Sequence, residues 1–219
     1  MTMFIANGAP KTGTHYLCET LSRLGMSESL SPWYYKMYSD PKREKPLHQK
    51  DEQPLRPDGW YFCHKHLPHE RKREAKGLPV ITIFRHPRDT LISRTRYFKE
   101  RDPIAHLRGD PEGITFANQY RQWVGWITDG GASFCVLFEQ FALHDHEALL
   151  NLCQYVDIEP PRDPEAFFYQ VENCNTIWNP TRTGSHSRWQ SHWNSQLDAA
   201  WELYGGKQLE EELGYHVTD

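Results

Sequence analysis

The sequence predicts an α/β protein of three layers, a central, mostly parallel β-sheet flanked by helices. Two observations carry this. Strand-like apolar runs at residues 4–6, 60–64, 80–84 and 133–138 alternate along the chain with segments of helical periodicity, the order that a parallel sheet covered on both faces requires. The chain has 219 residues, enough for one well-filled core and short for two, so residues 1–219 are expected to form a single domain.

Each element has its own signal. After the first run, Leu17, Cys18, Leu21 and Leu24 recur at helical spacing up to Gly25, a residue suited to a helix C-terminus. Residues 27–58 are rich in Ser, Pro, Lys, Asp and Glu around Trp33, Tyr34 and Tyr35, and read as a long irregular excursion of the kind that forms substrate lids. A strand follows at 60–64, a charged helix at 68–76, and a buried-type strand at 80–84 running into a helix that Pro87 can start. Residues 100–115 read as a loop. Phe116, Tyr120, Trp123, Val124 and Ile127 mark an amphipathic helix, broken by Gly130 and Gly131 before the strand at 133–138. Ala148, Leu149, Leu152 and Val156 mark the next helix, ended by Pro160 and Pro161, and segments 195–204 and 207–213 are expected to be helical.

Composition excludes several classes. Lys and Arg number 25 against 29 Asp and Glu, a formal charge of -4, so the bulk balance suggests no nucleic acid and no anionic membrane as partner. Arg94, Arg96, Lys99 and Arg101 form a local cluster that reads as a solvated helix face. The five cysteines are odd in number and lack a C-x-x-C pair, which argues against a disulfide framework or zinc ribbon and fits reduced thiols. No signal-peptide pattern opens the sequence and no window approaches a membrane span, so a soluble, cytoplasmic protein is expected.

The most informative stretch is the turn after the first strand. Gly8 and Gly13 bracket Pro10, Lys11 and Thr12, and Thr14, His15, Tyr16 and Leu17 open a helix. Glycines let the backbone approach a ligand, amides at the helix start point at it, and Lys11 adds a full charge, so phosphate or sulfate is the natural occupant. The nucleotide-binding pattern G-x-x-x-x-G-K-S/T has the same glycine separation, but here Thr14 and His15 stand in place of its Lys-Ser/Thr pair and the lysine lies inside the loop. Tyr16 is open to two readings, core packing or contact with adenine.

The run Pro10-Lys11-Thr12-Gly13-Thr14 resembles the 5′-phosphosulfate loop of sulfotransferases that use 3′-phosphoadenosine 5′-phosphosulfate (PAPS). Arg85 and Ser93 match that family's 3′-phosphate pair, Arg182, Thr183 and Gly184 ahead of Trp189 are similar to its cofactor-closing loop, and His64-Lys65-His66-Leu67-Pro68 looks like its Lys-Thr-His-Leu-Pro segment. The four segments come in family order. The resemblance implies a P-loop-like fold and PAPS as cofactor, with 3′-phosphoadenosine 5′-phosphate (PAP) as product and no metal. It implies His66 as catalytic base and Lys11 as catalytic cation. It also implies a cofactor site of Lys11, Thr12, Gly13, Thr14, His15, Tyr16, Arg85, Ser93, Arg182, Thr183 and Gly184, with Trp189 bracing its loop. The sequence departs from the pattern at His64, where the family has a lysine. Glu139 is the weaker candidate for a base. His64, His66 and His69 also form an H-x-H-x-x-H cluster that invites zinc, without the Cys or carboxylate partners such a site uses.

The expected reaction is sulfuryl transfer from PAPS to a hydroxyl or amine of a small-molecule or glycan acceptor. An ATP-dependent small-molecule kinase and a non-catalytic nucleotide-binding sensor are the alternatives. Trp33, Tyr34, Tyr35 and Phe98 hint at an aromatic or sugar ring in the acceptor, and a homodimer is compatible with so short a chain.

Overall fold

The computed structural model describes residues 2–28, 59–75, 77–98, 102–109, 112–128, 133–173 and 188–215. The first half of the chain contributes β1 (Thr2–Gly8), α1 (Thr14–Arg23), β2 (Ser27–Glu28), β3 (Trp60–His64), a 3₁₀ segment (His69–Ala75), β4 (Val80–Phe84), α2 (Pro87–Tyr97) and α3 (Pro103–Arg108). Then come α4 (Phe116–Thr128), β5 (Ser133–Leu137), α5 (Phe138–Ala142), α6 (His146–Val156), α7 (Pro164–Glu172), a second 3₁₀ segment (Arg188–His192), α8 (Ser195–Leu203) and α9 (Gly206–Glu212).

The strands form one five-stranded sheet in the order β2-β3-β1-β4-β5. Every pairing is parallel. β1 lies in the middle, with Ala6 opposite His64 on one side and Gly8 opposite Ile83 on the other. Successive side chains of a strand point to opposite faces, and both faces are buried here. Phe4, Ala6, Phe62, Ile81 and Ile83 pack against α1, α5, α6 and α7 through Leu17, Phe141, Leu152 and Phe168. Ile5, Cys63, Val80 and Phe84 pack against α2, α3, α4, α8 and α9 through Leu91, Leu107, Trp126, Trp201 and Leu209. Each such aliphatic or aromatic side chain is worth about 1.5–3 kcal/mol of transfer free energy, and the two half-cores make the sheet the middle of three layers.

Helix ends follow the sequence signals. α1 stops at Gly25 (φ +89°), where Gly25 N–H bonds the Ser22 carbonyl and Met26 N–H the Leu21 carbonyl, the paired bonds of a left-handed glycine stop. Pro87 begins α2, with the His86 ring accepting from the Arg88 amide at 3.3 Å.

Several expectations need correction. The excursion expected from residue 27 starts with a short strand, Ser27 and Glu28 pairing with Tyr61 and Phe62; residues 29–58, including Trp33, Tyr34 and Tyr35, lie outside the described residues. The charged segment after Pro68 is a kinked 3₁₀ helix rather than an α-helix, and Ala75 is its buried residue, because a run with so little apolar surface gains little from packing as a longer helix. The loop expected at 100–115 contains α3, capped by Asp102 onto the Ile104 amide at 2.9 Å with Pro103 at its first position. α7 has the same Asp-Pro start, the Asp163 carboxylate accepting from the Ala166 amide at 3.0 Å. Phe138 begins α5 instead of ending β5.

A surface clamp ties α7 to the turn after α5. His144, at φ +57°, stacks on Phe168, its Nδ1 is 2.8 Å from Glu165 and its Nε2 3.2 Å from Glu172. Carboxylates only accept, so the ring satisfies both as an imidazolium. Burial pulls the His144 pKa down, but the bonds to Glu165 and Glu172 win and raise it, while Glu165 is lowered by its bonds to His144 and His146. The clamp therefore stabilises fully between the ordinary carboxylate value of 4.5 and the ordinary histidine value of 6.5. It fades as pH rises through the folded His144 pKa or falls through that of Glu165. His144→Asn, which tolerates the left-handed backbone, is expected to destabilise the protein more at about pH 5.5 than at about pH 9 in urea unfolding; a pH-independent difference contradicts the clamp.

Candidate active site

The loop after β1 is strained where a ligand cradle needs it. Lys11 has φ +74° and Gly13 φ +104°, conformations that cost a non-glycine residue free energy and cluster at functional sites. A Cβ on Gly8 would stand 2.7 Å from Thr12 Oγ1 and 2.9 Å from the Ile83 carbonyl, and one on Gly13 would stand 2.5 Å from the Phe138 ring, so the loop packs tightly against β4 and α5. Thr12 is fully buried and spends both donors internally, its hydroxyl (2.8 Å) and amide (3.2 Å) on the Ala9 carbonyl. Gly13 gives α1 no capping side chain, which leaves the first-turn amides for another acceptor. Thr14 Oγ1 is buried with no hydrogen-bond partner among the described residues.

Two cations border the loop. Lys11 Nζ sits 4.2 Å above the exposed Tyr97 ring; burial first and the Arg85 charge second push its pKa down. Arg85, at the end of β4, lies over the Phe138 ring (4.7 Å) with its guanidinium 3.9 Å from Asp89. Its backbone is clamped by one phenol: Tyr120 Oη accepts from the Arg85 amide (3.2 Å) and donates to the Arg85 carbonyl (2.7 Å). Ser93 is half-buried on α2, two turns further on. Of the two readings of Tyr16, the structure has the ring in the core, its hydroxyl donating to the Phe141 carbonyl at 3.3 Å. Residues 182–184 lie outside the described residues, as do Lys99 and Arg101; Arg94 bonds Gln119 at 2.8 Å and Arg96 contacts His192.

His66 is held against the same loop. Its Nδ1 is 2.6 Å from the Gly8 carbonyl. A carbonyl only accepts, so Nδ1 carries the proton and Nε2 keeps its lone pair. Solvent reaches the ring, yet the surrounding protein lowers its pKa, partly offset by the Gly8 bond. His64 stands edge-on to both His66 (4.9 Å) and His15 (5.3 Å). Burial, then His66 and His15, bring the His64 pKa down to about 3, so it is neutral near pH 7. His69 turns away and packs edge-on to Trp126; among the described residues no group of three or more His, Cys, Asp or Glu is arranged to hold a metal ion. Glu139, the alternative base, has both oxygens engaged, with the His86 amide at 2.8 Å and the Tyr215 hydroxyl at 2.9 Å, and burial raises its pKa.

Sequence reasoning missed the assembly that anchors this region. Arg88 meets buried Glu210 through Nε (2.7 Å) and a terminal nitrogen (3.1 Å), and Asp198 at 3.2 Å. Trp189 and Trp193 lie 4.7 and 4.6 Å from its guanidinium, and Trp201 donates to Glu210 at 3.0 Å. Trp189 also stacks on His86, and its amide donates to Asp89 at 3.0 Å. The Arg-Asp pair at positions 88 and 89 was visible in the sequence; its partners 100 or more positions away were not. A cavity of about 470 Å³ between β5 and α6, lined by Phe134, Cys135, Asn151 and Tyr155, lies at the far edge of the sheet and contains none of these groups.

No protein-family model matches this sequence, and no curated protein matches it. Solved structures do resemble it. The crystal structure of mouse sulfotransferase SULT7A1 complexed with PAP has a TM-score of 0.66 at 16% identity, covering 98% of this chain and 89% of that one. Retinol dehydratase in complex with androsterone and inactive cofactor PAP has a TM-score of 0.62 at 12% identity, covering 95% and 80%. An Arabidopsis thaliana putative steroid sulphotransferase has 0.52 at 11%, covering 97% and 76%. The fold is therefore the sulfotransferase α/β fold.

Because Arg88 and Glu210 are both buried, Glu210→Ala is expected to cost about 3–5 kcal/mol by removing the buried partner of an interior charge that then keeps only the exposed Asp198. Asp198→Ala, whose carboxylate is 60% exposed, should cost under about 1 kcal/mol. Urea denaturation of the two variants checks the ranking.

Proposed function

We propose that this chain is a PAPS-dependent sulfotransferase transferring a sulfuryl group to a hydroxyl or amine of a small-molecule or glycan acceptor, in the cytoplasm, with His66 as general base. The observation that carries the reading is that a histidine with a bare Nε2 hangs from the carbonyl of Gly8, the last residue of β1 before a strained, lysine-bearing loop. The residues fit a phosphorylated nucleotide: the orphaned Thr14 hydroxyl, the uncapped start of α1 and two glycines with no room for a Cβ line one cradle.

When bound, PAPS supplies a sulfuryl group already bonded to a phosphate leaving group. Lys11 and the amides at the start of α1 would hold the 5′ side and neutralise charge growing on the departing oxygen. Arg85, fixed by Tyr120, and Ser93 would hold the 3′-phosphate, with Arg182, Thr183 and Gly184 completing that site. His66 Nε2 would take the acceptor proton as the acceptor oxygen or nitrogen attacks in line. His15, whose ring meets His64 edge-on at 5.3 Å, would border the same site. An ATP-dependent kinase has less support, since α1 opens on Thr14 and His15 where the ATP-binding pattern has its lysine.

Calorimetric titration with PAP, beside ADP and ATP with magnesium, tests the cofactor. Binding that requires the 3′-phosphate, weakened about 1.5–3 kcal/mol by Arg85→Ala, is expected; preference for ATP sinks the proposal. With an acceptor found by screening PAPS turnover, His66→Ala should lower kcat by about 10²–10⁴ and leave PAP affinity unchanged. The His66 pKa lies below its ordinary 6.5, and the base acts when neutral. The acidic limb of the rate profile is therefore expected below pH 6.5, with full activity at neutrality; a limb above that value counts against His66.

A further inference from the structure

Asn7 is fully buried at the end of β1, one residue before the loop. Its Oδ1 accepts from the Leu67 amide at 2.7 Å, and its Nδ2 donates to the Leu67 carbonyl at 3.1 Å and to Thr82 Oγ1 at 3.3 Å. The partners dictate the orientation, since an N–H only donates and a carbonyl only accepts. The Leu67 carbonyl also receives Trp126 Nε1 at 2.9 Å. On either side, the Lys65 amide bonds the Ala6 carbonyl at 2.9 Å and the His66 ring bonds Gly8. Consecutive residues of β1 thus grip consecutive residues after β3. The last rung of regular pairing between β1 and β3 has Ala6 opposite His64; beyond it the Asn7 amide stands in for a strand, pairing with both backbone groups of one residue. An apolar side chain would fill that position as well but would leave the Leu67 amide without this acceptor.

We infer that Asn7 is a positioning residue for the His66 base: its amide pins the Leu67 backbone so that the imidazole meets the Gly8 carbonyl and presents Nε2 beside the phosphate-binding loop. This rests on the reading of His66 under the proposed function. Asn7 touches neither donor nor acceptor, and acts through the tautomer and placement of the histidine.

Nitrogen-15 NMR of the full chain reports the His66 tautomer and pKa whatever reaction the protein performs. The wild type should show a protonated Nδ1 and a bare Nε2, titrating below 6.5. In Asn7→Ala the ring should become a mixture of tautomers with a pKa shifted toward the ordinary value. With PAPS and an acceptor that the wild type sulfates, kcat should fall about tenfold to hundredfold at unchanged PAP affinity. Asn7→Asp guards against a folding failure, because a protonated acid keeps both Leu67 bonds and an ionised one loses its donor. In that variant the single tautomer and the rate should be lost as pH rises. An unchanged His66 signal and kcat in Asn7→Ala, or no pH-dependent release in Asn7→Asp, overturns the assignment. A wild type that binds no PAP and transfers nothing overturns the sulfotransferase reading instead, and the NMR arm still decides Asn7.

Discussion

The structure depends on how the central strand β1 ends. Parallel strands deliver their loops to one edge of the sheet, and there the backbone leaves its ladder and must find other hydrogen-bond partners. Asn7 and Tyr120 answer that requirement with side chains, one pairing with both backbone groups of Leu67 and the other with both of Arg85. The residues held this way are the candidate base's neighbour and the candidate phosphate ligand. Satisfying the backbone also holds the residues of the candidate site.

Charge is distributed unequally around that edge. Arg88 is saturated by Glu210 and Asp198 and enclosed by tryptophans; it joins α2 to the C-terminal helices. Lys11 and Arg85, by contrast, oppose each other strongly enough that Arg85 contributes to lowering the Lys11 pKa. An anion between two such cations relieves a repulsion that the protein otherwise carries. The short segment from Arg85 to Arg88 thus holds both a structural cation and the candidate ligand-facing one.

The histidines add a second asymmetry. His64, buried to a pKa of about 3, brings no positive charge where the sulfotransferase pattern has a lysine. Lys11 is the lysine of the loop after β1, and the neutral ring of His64 packs between His15 and His66. A neutral His64 adds no further positive charge beside His66, which would suit a base that must be uncharged before it acts.

The alternation of apolar runs and helical stripes was enough to read a parallel sheet, because strands buried on both faces and amphipathic helices leave different periodicities. The loop around Lys11 was legible too, since glycines, proline and a lysine ahead of a helix have local physical reasons to bind an anion. Two short helices were overlooked at Asp102-Pro103 and Asp163-Pro164, where a cap and a first-position proline were present but the apolar stripe was short. What local pattern does not encode is long-range pairing: Glu210 with Arg88, Tyr120 with Arg85, and Asn7 with Leu67 are 122, 35 and 60 positions apart. Sequence by itself determined the layers and the glycine-bracketed turn around Lys11, which arise from contacts between near neighbours. Only the tertiary structure decided which nitrogen of His66 is bare and which arginine is spent, because burial and hydrogen-bond partners exist once distant segments meet.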